Sequence, residues 1–163
     1  MSRLVRFFTD RDDDRGQSLV EFALLLPLML LIITGLFDVA RAVWEENTLA
    51  YAAREGTRYA IVHGSYGSPA ADPTDMSPCI DNVICVLIPA VVRAAAIGVP
   101  NITVVVDYTD NIPGVVPPKK CADRNCRVSV EASAPFVPLP SQYLLNGAFQ
   151  ITLRGGSQLV IQR

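Results

Sequence analysis

The chain has little of the chemistry that enzymes and nucleic-acid-binding proteins need. Its only histidine is His63, no serine, cysteine or acidic residue stands in a context typical of a catalytic nucleophile or its partner, and no glycine-rich loop is present to cradle a phosphate. The 14 basic residues are outnumbered by 16 acidic ones and form no basic patch, although neutralising a nucleic-acid backbone requires clustered Lys and Arg. We therefore expect no enzymatic activity, no cofactor and no nucleic-acid partner.

Charge is also scarce from Leu19 to Phe37, where the only ionisable side chain is Glu21. A helix of this length, at about 1.5 Å per residue, can span a bilayer hydrocarbon core of roughly 30 Å. A carboxylate inside such a segment costs on the order of 3 kcal/mol, so Glu21 requires a partner unless it snorkels to the interface and only marks the start of the helix. Pro27 removes one backbone donor inside the span and predicts a bend there.

Basic residues are abundant before the apolar run and sparse after it. Arg3, Arg6, Arg11 and Arg15 precede the run, and the next basic residue beyond it is Arg41. By the positive-inside rule, this asymmetry places the N-terminus in the cytoplasm. The chain has room for one anchor and one domain of roughly a hundred residues. We expect a single-pass protein of the cytoplasmic membrane with an extracytoplasmic C-terminal domain.

Cysteine is absent from the predicted cytoplasmic leader, and all four cysteines lie on the predicted outer side, where disulfides form and persist. Three connectivities are possible. Proximity along the chain favours Cys79 with Cys85 and Cys121 with Cys126, each closing a short loop worth roughly 2 kcal/mol. A zinc site is the competing interpretation, but the spacings fit paired C-x₂-C knuckles poorly and one histidine is available, so we expect no metal.

Helical periodicity continues beyond the apolar run. A face of mostly small side chains recurs at helical spacing, at Leu49, Ala52, Ala53, Gly56 and Ala60. This pattern predicts one helix from about residue 18 to about residue 62, whose outer half can approach another element closely. A second, shorter helix is predicted over residues 83–97, despite Pro89, because this segment is apolar and rich in alanine.

The last third of the chain alternates apolar and polar residues, which predicts strands. The predicted strands lie at residues 102–108, 127–134 and 149–154, with a fourth at 159–161 after a turn at Gly155-Gly156. Proline-rich segments at 113–118 and 135–140 predict stiff loops between strands. A sheet with one apolar face needs a cover, which the outer half of the long helix can supply. The predicted fold class is α+β, with a small antiparallel sheet of three or four strands packed on the helix.

The segment Gly16-Gln17-Ser18-Leu19-Val20-Glu21-Phe22, followed by residues 23–27, resembles the processing and anchor segment of the TadE-like family, the pseudopilins of tight-adherence pilus systems. Residues 37–42 and 52–60 are similar to the rest of that family's N-terminal domain. The resemblance implies a pilin-like arrangement and cleavage by a prepilin peptidase after Gly16, which makes Gln17 the new N-terminus and Glu21 the fifth residue. It divides the chain into a cytoplasmic leader at 1–16, a long helix at 17–63 with the membrane span at about 19–37, and an extracytoplasmic strand-rich head at 64–163.

The same resemblance implies a structural role in pilus assembly, as a minor pilin or pseudopilin of a tight-adherence type IV pilus system. Its implied partners are the membrane, the prepilin peptidase, other pilin or pseudopilin subunits and the tight-adherence assembly machinery, and its implied location is the cytoplasmic membrane or an extracellular pilus. The ammonium of Gln17 on one subunit would pair with Glu21 of the next. The alternative is a secreted or membrane-anchored extracytoplasmic binding domain outside any filament, for which Ala40-Arg41-Ala42 is a candidate signal-peptidase site.

Overall fold

A computed structural model of the chain describes residues 13–63, 79–80, 86–114, 120–121, 124–144 and 146–162. Helix α1 runs without interruption from Asp13 to His63, which is 51 residues. At 1.5 Å per residue, α1 is a rod of about 75 Å. This confirms the single long helix that the apolar run and the small-residue face predict.

The two halves of α1 have different surroundings. Every side chain from residue 16 to residue 33 is exposed, whereas the outer half presents a buried face. The predicted small-residue face is that buried face, with Leu49, Ala52, Ala53, Gly56 and Ala60 in the core. α1 is therefore bare at one end and covered at the other.

The cover on α1 is an antiparallel sheet of four strands in the order β1-β2-β3-β4. The strands are β1 Cys79–Ile80, β2 Thr103–Tyr108, β3 Arg127–Phe136 and β4 Ile151–Val160. Every second residue of β3 is buried from Val128 to Phe136, and Val104, Val106 and Tyr108 of β2 are buried as well. The alternation exists because one face of the sheet packs on α1, which confirms the predicted α+β class and the pilin-like arrangement.

The predicted turn at Gly155-Gly156 is wrong. β4 continues through both glycines, so residues 159 and 160 extend the same strand, and the fourth strand is β1 at the opposite edge of the sheet. The reason is the crossing of α1 over β4. A Cβ on Gly155 would lie 2.7 Å from the Cα of Ala50 and 2.5 Å from the carbonyl carbon of Leu49. Gly155 thus serves a close backbone approach, which is the other common reason for glycine in a strand.

Helix α2 spans Leu87–Ala95 and packs against α1 beside the sheet. It confirms a second helix with narrower bounds than predicted, and residues 83–85 lie outside the described part of the chain. Pro89 is tolerated because it falls in the first turn. α2 ends before Gly98, whose φ of +82° is a left-handed conformation that favours glycine. The Val92 side chain fills the space above Gly56, where a Cβ would lie 2.5 Å from Val92 Cγ2.

The predicted loop at residues 135–140 is also wrong at both ends. Pro135 and Phe136 belong to β3, and a short helix, α3, spans Leu139–Leu144. Beyond Ser133, β3 is paired with β4 alone, because β2 begins at Thr103 opposite Ser133. A strand that is paired on one side only is where a sheet tolerates proline. Of the other predicted loop, residues 115–119 lie outside the described residues.

The contact at Gly155 yields a stability prediction. Gly155→Ala forces α1 and β4 apart, because the atoms facing the new methyl group are backbone atoms that have no alternative rotamer. We expect the free energy of unfolding to fall by about 3 kcal/mol, the upper end for overpacked sites. The measurement is urea unfolding of the full chain in detergent micelles, followed by circular dichroism.

Gly156→Ala is the matched control, since the nearest atom to a Cβ there is the Val130 carbonyl oxygen at 4.0 Å. We expect it to change stability by no more than about 0.5 kcal/mol, as at most surface positions. Equal effects of the two substitutions would contradict the close-approach account of Gly155.

Candidate processing and assembly site

The predicted processing site lies in the first turns of α1. The peptide bond between Gly16 and Gln17 is inside the helix, and apart from the chain neighbours of Gly16 and the backbone of its own helical turns, no described atom lies within 4 Å of where a Gly16 Cβ would stand. Gly16, Gln17 and Glu21 are all exposed. The Gly16–Gln17 bond therefore lies in an open helical segment, where glycine weakens the helix.

Glu21 and Gln17 lie on the same side of α1, one turn apart. The Gln17 side-chain amide donates a hydrogen bond from Nε2 to Glu21 Oε1 over 3.2 Å. The Glu21 carboxylate thus reaches back toward residue 17 instead of pointing along the apolar surface. A cut before Gln17 would create an ammonium close to this level of the helix, and a carboxylate at this depth could stabilise it.

The bare half of α1 surrounds this site. α1 is long and apolar enough to cross a membrane, by length and composition. Pro27 lies inside it, and the helix continues on both sides. Thr34 adds no unsatisfied hydroxyl, because its Oγ1 donates to the Leu30 carbonyl oxygen at 2.9 Å. So many exposed large apolar side chains on one segment mark a surface that is covered by lipid or by other protein chains.

A cluster of charged groups joins the anchor to the head. This junction consists of Asp38, Arg41 and Glu45 of α1 with Phe136 and Leu139 of the head. Asp38 is buried, and its Oδ2 accepts a hydrogen bond from the Leu139 backbone N–H over 2.8 Å. A carboxylate at the start of α3 also faces the positive end of the helix dipole.

Arg41 links the two acids of the junction. Its Nη1 lies 3.5 Å from Asp38 Oδ1 and its Nη2 lies 3.6 Å from Glu45 Oε1, while the guanidinium stands 5.1 Å from the centre of the Phe136 ring. Buried carboxylates need such partners, because an unpaired one carries a large desolvation cost. Sequence analysis missed this cluster. The signal was present as charged residues spaced three and four apart on one helical face, directly after the apolar run.

Among the described side chains, two cysteines are paired in the head. Cys121 and Cys126 form a disulfide with a Cα–Cα distance of 5.8 Å, in the connection between β2 and β3. Cys79 begins β1, but its side chain and the whole of Cys85 fall outside the described residues, so that pairing stays a prediction. The same connection is held by Asp110 and Arg127, whose Oδ1 and Nη2 atoms are 2.8 Å apart. Hydrogen bonds from the Arg127 side chain lower the pKa of Asp110.

Metal-binding geometry is absent from the described part of the chain. Among these residues, no three His, Cys, Asp or Glu side chains are placed to hold a metal ion. His63 stands at the end of α1, where its Nδ1 lies 3.0 Å from the Tyr59 carbonyl oxygen and its ring stacks on Tyr59. That is the helix-end role expected from its position.

Comparison with known proteins finds one match. Residues 16–58 match a family model described as TadE-like protein. No curated protein and no solved structure matches the chain. The matched segment begins at Gly16, includes Glu21 and Asp38, and ends on the buried face of α1. A TadE-like domain thus occupies residues 16–58, which confirms the family resemblance.

The junction yields a second stability prediction. Asp38→Ala leaves the Leu139 N–H without its acceptor and leaves Arg41 with Glu45 alone, so we expect the free energy of unfolding to fall by about 2–3 kcal/mol. Asp38→Asn keeps a hydrogen-bond acceptor and should lose less. The control is Glu46→Ala, an exposed acid on the same helix, with an expected change within about 0.5 kcal/mol. If Asp38→Ala and Glu46→Ala unfold at the same urea concentration in micelles, the junction does not stabilise the head.

Proposed function

We propose that this chain is a minor pilin or pseudopilin of a tight-adherence type IV pilus system, with a structural role in pilus assembly. The observation that carries the proposal is the coincidence of three features. The TadE-like match begins at Gly16, every described side chain of α1 up to residue 33 is exposed, and Glu21 is the single acid among them. The family match is the reason for proposing a tight-adherence pilus system, and the bare half of α1 is a surface on which subunits could assemble.

In this proposal, α1 is a single-pass anchor in the cytoplasmic membrane before assembly. The apolar run from Leu19 to Phe37 has 19 positions, which at 1.5 Å each is about 28 Å, close to the thickness of a bilayer hydrocarbon core. The arginines of the leader favour a cytoplasmic N-terminus, which leaves the head outside. On leaving the membrane, the same surface would be covered by the helices of neighbouring subunits.

Processing comes first in the proposed sequence of events. A prepilin peptidase cuts after Gly16, removes residues 1–16, and leaves Gln17 with a free ammonium. Support comes from the exposed position of the bond and from the glycine that precedes it. The chemistry is done to this protein by another enzyme.

Glu21 then acts as an alignment point between subunits. Its carboxylate already reaches back to the level of Gln17, so a neighbouring ammonium at that level finds an oxygen within reach. Away from water the two charges attract strongly, and each removes the desolvation cost of the other. Two apolar helices that can slide past one another would thereby acquire one preferred register.

The alternative, a binding domain released at Ala40-Arg41-Ala42, is less compatible with the junction. Cleavage after Ala42 would remove Asp38 and Arg41 from the head, and with them the partners of the Leu139 N–H and of Glu45. The candidate cleavage site also lies within the continuous helix α1. We therefore favour a chain that retains its anchor.

N-terminal processing is the first test. In cells that contain the prepilin peptidase, intact-mass measurement of the membrane-extracted protein should give a chain that begins at Gln17. Gly16→Val should block the cut, because a bulky side chain then stands beside the bond. Gly35→Val is the control, since Gly35 is also an open glycine of α1 and its substitution should leave processing unchanged.

Other N-termini would decide against this proposal. A chain that begins at Met1 in the presence of the peptidase contradicts processing after Gly16. A soluble product that begins at Val43 would establish the released binding domain instead.

The role of Glu21 gives a further prediction. Glu21→Ala and Glu21→Gln should both reduce pilus yield at least about tenfold, because removing one partner of a desolvated charge pair costs about 2–5 kcal/mol. Urea unfolding of the head should stay unchanged, because Glu21 lies outside the covered half of α1. Glu21→Gln distinguishes a charge pair between subunits from a residue that only marks the helix start, since glutamine keeps a hydrogen-bond acceptor and loses only the charge. Wild-type pilus yield from Glu21→Gln would limit Glu21 to marking the start of the helix.

A further inference from the structure

Part of the head lies beside the bare half of α1. An apolar groove of about 460 Å³ separates α3 from α1, lined by Leu30, Leu31 and Thr34 on one side and by Leu139, Pro140 and Tyr143 on the other. α3 begins beside Asp38, and its groove is shared with residues of α1 that precede Asp38 in the chain. The head is thus not confined to the region beyond the apolar run.

The depth of this contact can be estimated from the helix rise. Thr34 precedes Asp38 by four residues and Leu30 by eight, which is about 6 and 12 Å along α1. Half of a hydrocarbon core is about 15 Å. When residues 19–37 of α1 span the bilayer, α3 is therefore at the level of the outer leaflet.

The surface chemistry of this region suits lipid. No Asp, Glu, Lys, Arg or His occurs between Glu131 and Arg154. Tyr143 is 79% exposed, Phe149 56% and Ile151 40%, although all three are large apolar or aromatic side chains. Exposed aromatic residues without nearby charge are typical of the membrane interface, where one end of the ring is apolar and the other wet.

Several backbone groups of this region form hydrogen bonds within the protein, as backbone groups in lipid must. The Ser141 hydroxyl donates to the Phe149 carbonyl oxygen at 2.9 Å and accepts from the Phe149 N–H at 3.0 Å. The Gly147 N–H donates to the Ser141 carbonyl oxygen, and the Gln142 N–H to that of Pro138. The Leu139 N–H is bonded to Asp38, and Pro140 has none. An unsatisfied backbone group in hydrocarbon costs several kcal/mol, so each of these bonds lowers the cost of insertion.

A second groove beside α3 is more polar. Gln142 of α3 lines it together with Asn146, Gln150, Arg41 and Glu45, and Pro135, Phe136 and Val137 belong to the lining as well. α3 therefore has an apolar side toward the bare half of α1 and a polar side toward the charged residues. Such two-sidedness is what orients an interfacial element in a bilayer.

We infer that Leu139, Pro140, Tyr143, Phe149 and Ile151 form a membrane-seated foot, which rests in the outer leaflet while acyl chains fill the groove between α3 and α1. The inference rests on the proposed anchoring of α1 in the membrane. It adds a second lipid contact, made by the head, that fixes the height and tilt of the head above the bilayer. The occupant is lipid because the groove is continuous with the lipid-facing surface of the anchor.

Tryptophan quenching in vesicles tests the foot. The full chain is reconstituted in phosphatidylcholine vesicles whose acyl chains carry bromine near the headgroup end or near the methyl end. Trp44→Phe removes the single native tryptophan. In that background, three single variants are compared: Tyr143→Trp in the foot, Leu28→Trp in the anchor, and Leu159→Trp in β4.

We expect bromine near the headgroup to quench the tryptophan fluorescence of the Tyr143→Trp variant as strongly as bromine quenches that of the Leu28→Trp variant. The fluorescence of the Leu159→Trp variant should stay unquenched. If Leu28→Trp is quenched but Tyr143→Trp behaves like Leu159→Trp, the foot is overturned and the anchor stands. An unquenched Leu28→Trp variant overturns the anchoring itself. A third outcome is that neither bromine nor aqueous iodide quenches the Tyr143→Trp variant, and that quenching appears when the protein is diluted in lipid. This outcome assigns the groove to a second copy of the chain and also overturns the foot.

Discussion

The close packing of α1 on the sheet is the contact on which the rest of the head depends. Ala52, Ala53 and Gly56 present almost no side chain, and Gly155 allows the backbone of β4 to meet that of α1. Backbones this near leave no void for water and bury both apolar faces at once. The head is consequently built around the outer half of α1, and any displacement of the helix is transmitted to the sheet.

The bare half of α1 is stabilised differently from the outer half, because its side chains are exposed in the described part of the chain. It is stable only where lipid or neighbouring helices supply apolar contacts, and Glu21 is tolerable there only with a partner. The junction at Asp38 stands between the two environments. It joins α1, just beyond the bare half, to α3 through one buried carboxylate. The two parts of α1 are thereby tied to the head, which the proposed transfer of the subunit from a bilayer to a fibre would require.

Local patterns predicted what depends on local contacts. The long helix, its small-residue face and the alternating strands β2 and β3 were all visible as periodicity, since each buries one face. The error at β4 arose because Gly155-Gly156 resembles a turn when its contact, Ala50, is distant in the chain. α3 was missed for a similar reason: its proline-rich sequence suggests a loop, and the Asp38 carboxylate that holds its start lies on another helix. The roles of Gly16, Gln17 and Glu21 stay predictions, because they depend on a peptidase and on neighbouring chains.

The central claim is that Glu21 of one subunit meets the new N-terminus of another. Photo-crosslinking tests it most directly, with a benzophenone amino acid in place of Val20, which is exposed on α1 beside Glu21. In assembled pili, the account predicts a crosslink to the first residues of a neighbouring processed pilin, and its loss when the prepilin peptidase is inactive. Crosslinks to lipid alone in a preparation that contains intact pili, or an unchanged crosslink to uncut subunits, would contradict it.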